Sequence, residues 1–102
     1  MAKLIVLYKH PKDAAAFDAY YAETHIPLAN LIPGLRQYEI TEGAVVSPDG
    51  TSPYHLVAVL TFDSLADLEK GLASPEGKAA AGDLGNFADG GVELLMSETR
   101  EV

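Results

Sequence analysis

The sequence predicts an α+β fold in a single domain spanning residues 1–102. Two observations support this. The spacing of apolar residues changes from strand-like to helical and back along the chain, and clusters of proline, glycine, serine and aspartate separate the segments. With 48% hydrophobic and 22% charged residues, the chain has the composition of one compact globular domain.

The first segment, KLIVLY at residues 3 to 8, is a short apolar run rich in strand-forming residues, which predicts a β-strand. Asp13 can cap the helix that follows. His25 and Ile26 precede Pro27, which we expect to end or kink this helix. The apolar side of the helix is formed by residues at helical spacing, namely Phe17, Tyr20, Tyr21, Thr24 and Leu28.

The central segment predicts two strands. Pro33 and Gly34 form a turn, after which residues 35 to about 43 have the mixed polarity of a second strand. The run SPDGTSP at residues 47–53 is dense in turn-forming residues, and YHLVAVLTF at residues 54–62 reads as a third strand. We therefore expect the second and third strands to form a long hairpin.

The C-terminal segment predicts helix and then strand. Ser64 and Asp67 form a capping box for one helix, and Pro75 occupies the first position of another. A glycine pair stops the second helix before the last strand, at residues 92–99. The order β-α-β-β-α-β is the ferredoxin-like plan, with an antiparallel sheet and the helices on one face.

This topology leaves one sheet face without helices, yet both faces of the first and third strands carry apolar residues. A second copy of the same sheet is the simplest cover for the bare face, so we expect a homodimer. The apolar residues concerned alternate along the two strands, as Leu4, Ile5, Val6, Leu7, Leu56, Val57, Val59 and Leu60.

Charge and composition exclude several classes of binding partner. Lys and Arg total 7 against 15 Asp and Glu, which gives a net charge of -8. Such a surface repels nucleic acid and anionic membranes, so neither is expected as a partner. The apolar runs are too short for a signal peptide or a membrane span, which predicts a cytoplasmic protein. With no cysteine, the chain has neither disulfides nor a thiolate nucleophile.

Two stretches resemble a known family. They are FDAYYAETHIPLANLIPGLRQYEI and LVAVLTFDSLADLEKGLASPEGKAAAGDLGNFADGGVELL, and the elements Phe17 to Leu28 and Pro33 to Leu35 are the most specific parts. They resemble the EthD family of the dimeric α+β barrel superfamily. The resemblance implies a homodimer whose sheets close into a barrel. It also implies breakdown of small organic compounds such as ethyl tert-butyl ether beside a cytochrome monooxygenase, dehydratase or cyclase activity in polyketide pathways, or a loosely assigned oxidoreductase.

Tyr21 and His25 are the candidate catalytic residues. They stand at i and i+4 of the first helix, so their side chains meet on one face, where a phenol and an imidazole can share a proton with a bound carbonyl or hydroxyl. A structural interpretation is also open. In it, His25 bonds free carbonyls at the helix end, while Tyr20 and Tyr21 supply core area with their hydroxyls at a rim.

The candidate substrate-binding residues lie in, or directly after, the first helix and the first and third strands. His10 and His55 should lie together at one end of the sheet and His25 at the other, so a three-histidine metal site within one subunit is not expected. The residues in this set are Tyr8, His10, Phe17, Tyr20 and His55.

Two functional hypotheses remain. In the first, the protein binds a small apolar oxygenated or aromatic molecule and catalyses a proton transfer such as dehydration, isomerisation or enolisation. No phosphate-binding or dinucleotide motif is present, and no cofactor is expected. In the second, the protein is a non-catalytic binding or accessory protein of an oxygenase or degradation pathway, and His25 is structural.

Overall fold

Four strands form one antiparallel sheet in the computed structural model, which describes residues 1–102. The strands are β1 (Ala2–Lys9), β2 (Gln37–Ile40), β5 (Tyr54–Phe62) and β6 (Val92–Glu98), in the spatial order β2-β5-β1-β6. Every neighbouring pair is antiparallel. The predicted ferredoxin-like α+β fold is confirmed.

The connection between β2 and β5 differs from the predicted long hairpin. The second strand is shorter than expected and ends at Ile40, and a small hairpin follows, formed by β3 (Val46–Ser47) and β4 (Gly50–Thr51). Gly43 and Gly50 both have positive φ, at 69° and 120°, which turns the chain out of the sheet. This excursion forms one wall of a pocket described below.

The first helical region has three parts, α1 (Ala14–Tyr20), a π-helical turn (Tyr21–His25) and α2 (Ile26–Ala29). The Asp13 carboxylate caps α1 by accepting from the backbone N–H of Ala16 at 3.1 Å.

Pro27 was expected to end or kink this helix. It does not end it, because the backbone stays helical to Ala29, but the turn before it departs from α-helical geometry. Pro27 lies in the first turn of α2 and supplies no N–H to the continuous helix, and the turn directly before it is π-helical. The π turn is closed by a bond from the N–H of Ile26 to the carbonyl of Tyr21.

The second helical region consists of α3 (Leu65–Ala73), α4 (Pro75–Asp83) and a 3₁₀ turn (Leu84–Asn86). Ser64 caps α3 by accepting from the N–H of Asp67 at 3.0 Å, which confirms the N-terminus predicted there. None of the helices of the chain is long and apolar enough to cross a membrane.

The register decides which strand residues face the helices. Leu4, Val6 and Tyr8 are paired with Leu60, Ala58 and Leu56, and all six are buried beneath the helices. The alternate residues point to the other side, which no helix covers. We call this side the bare face; its apolar residues are Ile5, Leu7, Val57, Val59 and Leu95.

Candidate functional site

A buried imidazole and a buried carboxylate meet between the two helical regions. His25 ends the π turn and Asp83 ends α4, and they are 5% and 6% exposed. Nδ1 of His25 lies 3.0 Å from Oδ2 of Asp83. Asp83 was absent from the sequence-based candidates, since it lies 58 residues from His25 and only the packing of α4 brings the two together.

The second oxygen of Asp83 has two donors of its own. The Tyr20 hydroxyl donates to Oδ1 at 2.6 Å, and the Asn86 side-chain amide donates to the same oxygen at 3.0 Å. Burial alone would raise the pKa of Asp83, but the hydrogen bonds from Tyr20, Asn86 and His25 outweigh it and hold the pKa below its ordinary value. Asp83 is therefore a carboxylate at neutral pH.

The charge of Asp83 fixes the tautomer of His25. A carboxylate can only accept, so Nδ1 must carry the proton, and in the neutral ring Nε2 is left as an acceptor. Burial lowers the pKa of His25, although the bond to Asp83 and its charge act in the opposite direction. His25 is therefore held as a neutral base whose lone pair is on Nε2.

Nε2 of His25 faces the Tyr8 hydroxyl from β1 at 3.5 Å. This distance is at the limit of a hydrogen bond and leaves Nε2 free to engage another group. Burial raises the pKa of Tyr8 above the ordinary tyrosine range, so its phenol keeps its proton. A base, Nε2 of His25, and a neutral hydrogen-bond donor, the Tyr8 hydroxyl, are therefore adjacent.

A small space, the inner cavity, lies next to this pair. It has a volume of about 40 Å³ and is bounded by His25 and the rings of Tyr8, Tyr21 and Tyr38, with mostly apolar residues from the sheet and α4 around them. The hydroxyls of Tyr21 and Tyr38 lie 2.6 Å apart. The inner cavity accommodates a single functional group, because whole-ligand pockets are roughly 300 to 1,000 Å³.

A larger space, the outer pocket, adjoins it and has a volume of about 490 Å³. Ile40 and Leu56 line the outer pocket, whereas Tyr38 and Ala58, two residues away on the same strand faces, line the inner cavity. Tyr21 lines both spaces, so its side chain stands between them, and its hydroxyl contacts that of Tyr38. The outer pocket is lined by His10, Asp18, Tyr21, Ala22, Ile26, Ile40, Thr41, Gly43, Ala44, Val45, Val46, Thr51, Ser52, Tyr54, His55 and Leu56.

His10 and His55 lie together in the outer pocket, with ring centroids 6.1 Å apart. Nε2 of His55 contacts the Asp18 carboxylate at 2.7 Å, and Nε2 of His10 contacts the Ser52 carbonyl at 3.0 Å. The expectation that His25 lies at the opposite end of the sheet is wrong. Its ring contacts the Tyr8 hydroxyl, and the cavity beside it adjoins the pocket of the other two histidines.

The remaining candidates have other surroundings. Phe17 is 3% exposed and packs edge-on against Tyr8, with ring centroids 5.4 Å apart, so it is a core residue of the site wall. Tyr20 lines neither space; it stacks on Phe87 and donates to Asp83. The two ring nitrogens of His25 face Asp83 and Tyr8 rather than helix-end carbonyls, which contradicts the capping role considered from the sequence.

The lowered pKa of His25 predicts a loss of stability in mild acid. The unfolded chain takes up a proton near the ordinary histidine value of 6.5, whereas folded His25 does so only at lower pH. The free energy of unfolding should therefore fall as the pH drops from about 6.5 towards the pKa of folded His25. The total loss should be about 1.4 kcal/mol for each pH unit by which that folded pKa lies below 6.5.

Urea unfolding at a series of pH values between about 7.5 and 5.5, at one protein concentration, measures this loss. His25→Asn is the matched variant, because it retains His10 and His55 while removing the buried imidazole. Its stability should depend less on pH than that of the wild type, and equal slopes for the two proteins would contradict the assignment.

The comparisons with known proteins agree with the fold. The EthD domain matches residues 9–91 of the chain. An uncharacterized 11.0 kDa protein from the thcB-thcC intergenic region of Rhodococcus erythropolis is 40% identical over 103 residues, covering 100% of this chain and 98% of that protein.

Solved structures give the same result. The crystal structure of an ethyl tert-butyl ether d (EthD) family protein from Bacillus halodurans is 38% identical with a TM-score of 0.90, covering 98% of this chain and 99% of that chain. A dimeric protein of ferredoxin-like fold from Bacteroides fragilis is 23% identical with a TM-score of 0.65, covering 96% and 95%, and shows similarity of fold alone. The match over most of the chain and the relatives of about 40% identity show that this protein belongs to the EthD family.

Proposed function

We propose that this protein binds a small, largely apolar molecule that carries a carbonyl or hydroxyl group, and that His25 catalyses a proton transfer on it. The observation that carries the proposal is the buried His25–Asp83 pair, which leaves Nε2 of His25 beside the neutral Tyr8 phenol, both residues lining the inner cavity. A buried, oriented imidazole with a lowered pKa is suited to act as a general base at neutral pH.

The chemistry uses the groups of the inner cavity in turn. Nε2 of His25 takes a proton from a carbon next to the carbonyl, and the electron pair moves to the carbonyl oxygen. The phenol of Tyr8 or Tyr21 donates a hydrogen bond to that oxygen, and the Asp83 charge stabilises the imidazolium. Return of the proton to another carbon gives isomerisation, and its delivery to a departing hydroxyl gives dehydration.

The two spaces hold different parts of the ligand in this proposal. The outer pocket has the volume of a small-molecule site and mostly apolar walls, so it accommodates the body of the ligand. The inner cavity takes the reacting group once the Tyr21–Tyr38 hydrogen bond opens. Burial raises the pKa of both phenols, so they remain donors throughout.

A non-catalytic binding role is the second candidate. It is favoured by the contact between the Tyr21 and Tyr38 hydroxyls, because while they are in contact a ligand in the outer pocket does not reach His25. The outer pocket also has polar groups of its own in His10 and the His55–Asp18 pair. In this role the protein holds a pathway intermediate for another enzyme.

We also propose that the functional unit is a homodimer joined through the bare face. Its support is the row of apolar side chains that no helix covers, together with the dimeric ferredoxin-like relative from Bacteroides fragilis.

Filling the outer pocket tests the binding site in both functional candidates. Ala22 is exposed and lines the outer pocket, so Ala22→Trp should occupy the pocket without disturbing the core. We expect affinity for small aromatic ketones and phenols to fall at least tenfold, because the indole takes the volume that the ligand needs. Saturation-transfer NMR against a panel of such compounds measures the change.

The matched control is Ala79→Trp, which adds the same side chain to an exposed position of α4 outside these spaces. It should bind as the wild type does. Wild-type affinity in Ala22→Trp for the compounds that bind would place their site elsewhere.

A further inference from the structure

The Asp83 carboxylate lies at the C-terminal end of a helix, a position that destabilises a negative charge. It is the last residue of α4, where the carbonyl end of the helix dipole repels a negative charge, and it is 6% exposed, so water does not compensate. Three donors replace the water: His25 at Oδ2, and Tyr20 and Asn86 together at Oδ1.

From this arrangement we propose that Tyr20 and Asn86 are positioning residues for His25, which together fix the Asp83 carboxylate so that Oδ2 faces Nδ1 and the Nε2 lone pair is left beside the Tyr8 hydroxyl. With both donors on Oδ1, rotation of the carboxylate would break two hydrogen bonds at once, one of them charge-assisted at 2.6 Å. The catalytic meaning of this role depends on the proposed function, but the role itself concerns only the free protein.

The π turn explains how Tyr20 and His25 reach the same carboxylate. At about 100° per residue, five α-helical residues separate two side chains by roughly 140°, which would direct them to different sides of the helix. In the π turn the bonds run from i to i+5, which brings residues five apart closer to one face than an α-helix does. The turn over Tyr21–His25 therefore brings Tyr20 and His25 onto one face, opposite α4.

The other titratable groups around the pair are phenols. Tyr8 faces His25 from β1 and Tyr21 from the π turn, and Tyr38 from β2 bonds to Tyr21. Burial raises the pKa of all three, so they stay neutral while His25 titrates. A change in the titration of His25 after replacement of Tyr20 or Asn86 is therefore attributable to Asp83.

The test is ¹⁵N NMR of the His25 ring in the full-length protein without ligand, across a pH titration. Tyr20→Phe removes only the hydroxyl and keeps the stacking on Phe87, and Asn86→Ala removes the amide at an exposed position. In the wild type the neutral ring should be predominantly the Nδ1–H form. In each variant the Nε2–H form should increase several-fold, and the pKa of His25 should fall further, because Asp83 supports the imidazolium less well.

Ser97→Ala is the control, since it also loses a hydroxyl, but one that bonds the Glu98 carbonyl at the sheet surface, away from both spaces. It should leave the His25 spectrum unchanged. Retention of the Nδ1–H form in both variants, with an unchanged or a raised pKa, would overturn the proposal; a raised pKa would mean that Tyr20 and Asn86 only share the charge of Asp83. Because no ligand is involved, this result is independent of whether the protein is catalytic.

Discussion

His25→Asn should abolish proton transfer and leave the fold intact. The asparagine amide can occupy the place of Nδ1 and donate to Asp83, so the buried carboxylate keeps a partner. The substitution has no basic atom at the position of Nε2, the ring nitrogen that lies beside the Tyr8 hydroxyl. General-base catalysis contributes about 10²- to 10⁴-fold, so the rate should fall by that factor.

Exchange of carbon-bound hydrogen for deuterium in D₂O measures this step for compounds that bind the wild type, and NMR detects it without any knowledge of the product. Affinity for the same compounds should change little, because the outer pocket is the site proposed for the body of the ligand. If the variant exchanges deuterium as fast as the wild type, His25 is not the base. If both proteins bind the compounds and neither promotes exchange, the binding role is the correct function.

The proposed His25–Asp83 pair was only half predicted from the sequence, because His25 was a candidate and Asp83 was not. The i, i+4 spacing correctly places Tyr21 beside His25, and their ring centroids are 5.2 Å apart. The partner that fixes the tautomer is Asp83, whose local sequence does not distinguish it from the other acidic residues of the chain. Its role comes from the packing of two helix ends, which depends on the tertiary fold and not on any local period.

The π turn was missed for a related reason. Periodicity indicates a helix in this region, but it does not separate an i+4 from an i+5 bond over a single turn. Pro27 was the one local signal, and it predicted a helix end or a kink without indicating a π turn. In the structure the helix continues through Pro27 to Ala29, with the π turn directly before it, and His25 at the end of that turn contacts Asp83.

The strands were easier to predict, because apolar runs between turn residues mark them directly. The sequence did not show which of two apolar strand faces the helices cover, and that depends on register. Leu56 is 8% exposed and faces the helices, whereas its neighbour Val57 is paired with Leu7 on the bare face. Because Leu56 and Val57 lie on opposite faces, substitutions at these two adjacent residues can test the expected homodimer.

Val57→Asp should convert the protein from a dimer to a monomer. In a single chain Val57 is partly exposed, so a carboxylate there can remain hydrated as long as the chain is alone. In a dimer closed through the bare face it would be buried among Leu7, Val59 and their counterparts without a partner, which costs several kcal/mol. Sedimentation or light scattering at micromolar concentration should show a dimer for the wild type and a monomer for the variant.

Two further variants separate loss of the interface from loss of the fold. Leu56→Asp places the same charge in the helix-covered core and should unfold the chain, whereas Leu31→Asp alters a residue that is 63% exposed outside the bare face and should remain dimeric. A sheet-to-sheet interface should bury on the order of 2,000 Å² or more in total, an area typical of permanent dimers. A wild-type protein that is monomeric at micromolar concentration, with its fold retained, would therefore show that the bare face is not a subunit interface.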